Sequence, residues 1–164
     1  MAETPRTRTI TWDDPAATSW RVTTEPGLDV LRRVIAGDLP PSPMAQLMGL
    51  TLAEVDEGLA VFTATPAEFH YNPAGVVHGG FAATLLDSAM GCAVYTTMQR
   101  GANYTTVELK VNLIKPMTTD TGLVRAIGRV LHRGRRTAVA EGRLEDASGA
   151  LLAHATTTCL IYTP

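Results

Sequence analysis

Asn72-Pro73-Ala74-Gly75-Val76-Val77-His78-Gly79-Gly80-Phe81-Ala82-Ala83-Thr84-Leu85-Leu86-Asp87 is the stretch on which the reading of this chain turns. Its first half cannot be helical. Pro73 pushes Asn72 out of helical backbone angles and Gly75 permits a tight turn, so Phe69 to Val77 reads as loop. From Gly80 to about Gln99 the chain is rich in Ala, Leu and Met and has no proline, while Gly101 lies beyond as a stop. That pattern predicts one long helix of about 30 Å. Asp87 is the only Asp, Glu, Lys or Arg between Glu68 and Arg100. A lone carboxylate in apolar surroundings is costly to bury, so it caps, pairs or reacts, unless it lies on an exposed stripe or accepts structural hydrogen bonds in an interface.

On the N-terminal side, the period of the apolar residues changes twice. Leu28, Leu31, Val34 and Ile35 recur at helical spacing, and Gly37 with Pro40, Pro41 and Pro43 ends the pattern, which gives a short helix over about 28–36 and a further helical turn from Met44 to Met48. From Leu50 the period is two. Leu50 to Val55 and Leu59 to Thr65 flank Asp56-Glu57-Gly58, a hairpin signal. On the C-terminal side, Tyr104 to Ile114, Thr121 to His132, Thr137 to Asp146 and Leu151 to Tyr162 read as strands. The breaks at Lys115-Pro116, Arg133-Gly134 and Ala147-Ser148-Gly149 are each short enough for antiparallel neighbours. The expected fold is α+β, with a curved antiparallel sheet of five to six strands wrapped around one long central helix and short helices before it. Residues 1–25, which carry Trp12 and Trp20, read as an extended arm that packs at its tryptophans, and 26–164 as a single domain.

Composition sets the outer limits. A chain of 164 residues makes one domain and buries roughly two thirds of its unfolded surface. With 45% hydrophobic and only 18% charged residues, part of the surface is expected to be covered by another copy of the chain. A net charge of −2 gives no general attraction to nucleic acid. Cys92 and Cys159 form no CxxC pair and stand in apolar segments, which fits buried thiols in a reducing compartment. The first residues lack the apolar core of a signal peptide, and the long helix is too short and too polar to span a bilayer, so a cytoplasmic protein without membrane partners is expected.

The chemistry starts at the glycines. Gly79 and Gly80 have no Cβ, and the first turn of a helix offers unpaired N–H groups at its positive end, an oxyanion site in waiting. Asp87 lies two turns further on, roughly 10 to 12 Å by helix rise, too far to serve the same ligand atom within one chain. Two such helices running antiparallel across a twofold axis would bring the Gly79 end of one beside the Asp87 turn of the other. Ala83, Asp87 and Gly91 share one helix face. Small residues at that spacing either pack tightly against a neighbour or let a partner or substrate approach.

The run from Asn72 to Gly80, followed by Asp87 and by Thr105-Thr106-Val107-Glu108-Leu109, resembles the signature of hotdog-fold acyl-CoA thioesterases, in particular their phenylacetate-pathway branch, over roughly Leu47 to Tyr162. The resemblance implies an acyl-CoA substrate, no separate cofactor and a homo-oligomer, a dimer or dimer of dimers. It also implies that the Gly79 N–H polarises the thioester carbonyl, His78 orients the loop or the thioester, and Asn72 holds the water or the carbonyl. Asp87 of the opposite subunit acts as nucleophile or general base, with Thr106 beside it, or Thr105 if the register slips by one. Arg133, Arg135 and Arg136 form the densest basic cluster. They either meet the nucleotide end of coenzyme A or line a solvated hairpin. Phe81, Leu85 and Met90 are available to line an acyl pocket. A metal site is not expected, because His70, His78, His132 and His154 show no HExxH or paired spacing, and no GxSxG occurs. A non-catalytic acyl-CoA binding module is the alternative on the same scaffold; a hydratase would be expected to carry an Asp-to-His pair in one loop, which is absent.

Overall fold

A computed structural model describes residues 5–16 and 24–163. Among them the order is α1 (Gly27–Ala36), α2 (Pro43–Met48), β1 (Thr51–Asp56), β2 (Leu59–Ala64), α3 (Gly79–Thr96), β3 (Asn103–Leu113), β4 (Val124–Arg133), β5 (Thr137–Glu145) and β6 (Leu151–Tyr162). The caps follow the residues that stop each pattern. Gly37 adopts φ 82° and closes α1, while the Ser42 hydroxyl accepts from the Ala45 N–H at 3.2 Å to start α2. Short 3-10 turns occupy Glu68–His70 and Thr119–Thr121.

The six strands form one antiparallel sheet in the order β1-β2-β4-β5-β6-β3. One expectation fails here. Lys115-Pro116 does not join neighbours, because β3 lies at the sheet edge beside β6 while β4 lies between β2 and β5. Where a strand was expected to begin at Thr121, Thr118 instead caps a 3-10 turn through the Asp120 N–H. The connection is thereby lengthened enough to cross the end of the sheet. Bulges at Leu52/Glu54, Thr106/Glu108 and Val130/His132 bend the strands and let the sheet curve.

α3 crosses the concave face. Its apolar residues Phe81, Leu85, Leu86, Ala89 and Met90 are buried, and the sheet meets them with small residues, among them Ala60, Ala126, Ala138, Ala140 and Ala155. The approach is closest at Gly128, where a Cβ would lie 2.3 Å from the Ala89 carbonyl oxygen. At the far end of the helix, Thr96 Oγ1 donates to the Ala93 carbonyl at 2.6 Å and accepts from the Gly58 N–H at 2.8 Å, tying the β1–β2 hairpin to it.

The N-terminal residues touch this domain, but not as expected. Arg6 pairs with Glu68 at 2.7 Å, Arg8 lies 3.8 Å above the Phe69 ring, and Gln46 donates to Asp13 at 3.0 Å. Trp12 is 62% exposed, and Trp20 lies outside the described residues. Polar contacts therefore hold residues 5–13 against α2 and the Glu68–His70 turn.

Candidate active site

Asp87 stands on the one face of α3 that the sheet leaves partly open. Ala83, Thr84, Asp87 and Ser88 are only half-buried, whereas the remaining faces are packed. That face forms a wall of a cavity of about 570 Å³, closed on the other sides by α1, α2, β1, β2 and β3. The Thr106 hydroxyl donates to Asp87 Oδ1 at 3.0 Å. No ion pair reaches Asp87 among the described residues. The carboxylate is thus neither a cap nor half of a salt bridge. It is an acid at a cavity wall with one oxygen held by a hydroxyl.

The register of β3 is settled by that contact. Thr106 faces the helix and Thr105, one residue back on a strand of period two, is exposed; the bulge comes only after Thr106 and sets Val107 aside as the extra residue. The lining expected from Phe81, Leu85 and Met90 is overturned, since all three point into the core. They occupy the sheet-facing sides of a helix that is apolar almost all round. The cavity is lined instead by Val34, Ile35, Met44 and Phe62 opposite the helix, and by Tyr104, Leu109 and Cys92 beside Asp87. Burial, with Asp87 nearby, pushes the Cys92 thiol up to about 12, which makes it an inert wall atom. Gly91 is not open to a partner, because the Tyr104 hydroxyl of the same chain fills the space a Cβ would need.

The other expected residues gather at the start of α3. His78 is its N-cap, and Nδ1 accepts from the Gly80 N–H at 2.8 Å, which leaves the first helical N–H, that of Gly79, without an intrahelical acceptor. Asn72 Oδ1 accepts from the Ala74 N–H at 2.9 Å and the Val76 N–H at 3.4 Å, so it shapes the turn that delivers the chain to His78. Val77 donates to the Met117 carbonyl and His78 to the His70 carbonyl, which pins the turn to its neighbours. Within one chain the structure joins Asp87 to Thr106, and Asn72 and His78 to the Gly79 turn, but does not join the two groups. Eight residues of helix, about 12 Å, lie between them.

Arg133, Arg135 and Arg136 are exposed in the β4–β5 hairpin. The hairpin sits at the C-terminal end of α3, since Val130 donates to the Gly58 carbonyl and Gly58 donates to Thr96. Gly79 lies at the opposite end of the helix, where a Cβ would meet Leu113. No group of three or more His, Cys, Asp or Glu residues able to hold a metal ion occurs among the described residues, and none of their helices is long and apolar enough to cross a membrane.

An apolar cavity edged by one acid, beside a sheet wrapped on a single helix, defines a class, and comparison with known proteins agrees. Residues 74–153 match the Thioesterase superfamily family model. A conserved protein of Pseudomonas aeruginosa is 31% identical, covering 74% of this chain and 95% of its own with a TM-score of 0.70. A phenylacetic acid degradation-related protein from Ralstonia eutropha is 30% identical, covering 79% and 98%, with a TM-score of 0.72. Human acyl-coenzyme A thioesterase 13 is 29% identical over 75% of this chain and 88% of its own. The chain belongs to the thioesterase superfamily and is a thioester hydrolase of the hotdog fold. The likeness to the Ralstonia protein accords with the resemblance of the Asn72 to Asp87 signature to the phenylacetate-pathway branch.

Proposed function

We propose that this protein hydrolyses acyl-CoA thioesters at sites shared between two copies of the chain, with Asp87 and Thr106 from one and the Gly79 turn from the other. The observation that carries the reading is the Thr106–Asp87 hydrogen bond at the wall of the acyl-sized cavity. Thr106 occupies one carboxylate oxygen and orients the other. That favours Asp87 as general base: it takes a proton from water, the water oxygen attacks the thioester carbon, and the oxyanion is held by the Gly79 N–H. Collapse of the tetrahedral intermediate breaks the C–S bond and releases coenzyme A as thiolate. A thiol pKa of about 8.5 makes that departure easy without a strong general acid.

The sheet edge supports the pairing. β3 is 11 residues long, with β6 on one side and nothing on the other among the described residues, and Val107, Leu113 and Ile114 stand exposed along it. An edge of that length and apolarity invites a second copy. Pairing β3 with β3 across a twofold axis runs the two α3 helices antiparallel. The Arg133–Arg136 hairpin of one copy then falls towards the Gly79 end of the other, where the phosphates of coenzyme A would need cations.

The test is thiol release from a panel of acyl-CoAs, followed by thiol trapping. Asp87→Asn keeps size and hydrogen-bonding capacity and removes the base, so kcat should fall by about two to four orders of magnitude. Undiminished turnover would take Asp87 out of the mechanism.

A further inference from the structure

Tyr104 has no part in the reaction just described, yet its hydroxyl stands beside it. The residue precedes Thr106 by two on β3 and so points to the same side of the sheet. Its ring lies 6.0 Å from that of Tyr95, and its hydroxyl rests over Gly91, one helical turn beyond Asp87 on α3. A Cβ at position 91 would lie 2.5 Å from the Tyr104 oxygen, so the glycine leaves room for the phenol. Tyr104 borders the same cavity as Asp87, and its hydroxyl makes no hydrogen bond to any described residue. Burial, and the neighbouring Cys92, Cys159 and Asp87, hold the phenol well above its ordinary range, so it keeps its proton.

The hydroxyl opens on a mostly apolar cavity and is free for whatever fills it, whereas phenylalanine would line the same space without offering a donor. Val34, Ile35, Met44 and Phe62 of the far wall are apolar, and the hydroxyl residues that also line the cavity, Ser42, Thr51, Thr84 and Ser88, make no hydrogen bond to it. We infer that the Tyr104 hydroxyl is a specificity-determining group that donates to an oxygen on the acyl chain, a hydroxyl or oxo substituent several bonds beyond the thioester carbonyl. The position follows from the helix, because Gly91 lies about 5 to 6 Å from Asp87 along its axis. This rests on the hydrolase reading and adds to it which acyl groups are preferred.

The experiment compares kcat/KM for hexanoyl-CoA with that for its penultimate-carbon hydroxy and oxo derivatives, in the wild type and in Tyr104→Phe. The wild type should prefer the oxygenated substrates by about 10-fold, and the ratio should fall to near one in the variant. A merely structural role would lower all three values together and leave the ratio standing, which would overturn the assignment. So would a wild type that treats the three substrates alike, a result that needs no folded variant. Thiol release from none of the three, nor from any other acyl-CoA, would instead overturn the hydrolase reading and this assignment with it.

Discussion

If each site draws on two chains, two defective variants should repair one another. Gly79→Pro removes the proposed oxyanion donor with little disturbance of the backbone. Proline is well accepted at the first helical position, and His78 before it has ψ 137°, the extended geometry that a following proline requires. The clash at position 79 is with Leu113 Cδ1 at 2.5 Å, the tip of a side chain that is 60% exposed and free to turn away. Loss of one such donor costs about 3 to 4 kcal/mol, so Gly79→Pro alone should lose about 100- to 1,000-fold in kcat. Asp87→Asn alone should lose a comparable factor. Eight helical residues separate the two positions, so within one chain they serve different sites. In a mixed dimer one site receives both defects and the other receives neither. Random pairing makes about half the dimers mixed, each with one intact site of two, so co-refolding equal amounts should restore about a quarter of wild-type activity. Thiol release before and after co-refolding, with the mixed species isolated on two affinity tags, measures this. Recovery no greater than the sum of the two variants, from a verified mixed dimer, would refute the shared site.

Gly128→Ala should be among the most damaging conservative substitutions in the chain. Its methyl would lie 2.3 Å from the Ala89 carbonyl oxygen and 2.6 Å from the Met90 nitrogen, backbone atoms of α3 that cannot move alone, so a loss of about 3 kcal/mol or more and a fall in Tm of roughly 6 to 12 °C are expected by thermal melting. His70 should make stability pH-dependent. Its Nδ1 accepts from the Ala67 N–H at 3.0 Å, and burial first, then Arg8, lowers its pKa below the ordinary 6.5. The unfolded chain therefore takes up the proton more readily, so stability is full above about pH 6.5 and falls as pH drops through that value. His70→Asn, which keeps an acceptor for Ala67, should flatten the dependence of Tm between pH 7.5 and 5, and an unchanged slope would refute the assignment. Cys92, pushed up to about 12, should resist iodoacetamide at pH 8 until the protein is unfolded, as read by mass spectrometry of the labelled peptide.

What the sequence reveals and what it hides differ in range. The loop at Asn72-Pro73, the helix from Gly79 and the hairpin at Gly58 are legible because proline and glycine act on their own neighbours; Gly58 has the φ of 71° that its turn requires. The order of strands is not local. That β3 leaves β4 and pairs with β6 depends on contacts some 50 residues apart, and Lys115-Pro116 says nothing about them. The wall of the cavity is hidden for a related reason. α3 is apolar on nearly every side, so apolarity cannot say which face meets the sheet and which the cavity. The polar exceptions can. Thr84, Asp87 and Ser88 fall together on one face, and a helix otherwise buried needs a reason to keep them there. The same logic, carried two residues back from Thr106 along a strand of period two, reaches Tyr104. Its hydroxyl is legible only once Gly91 is seen beneath it, because a tyrosine beside a cavity is ordinary and a tyrosine for which the helix gives up a side chain is not.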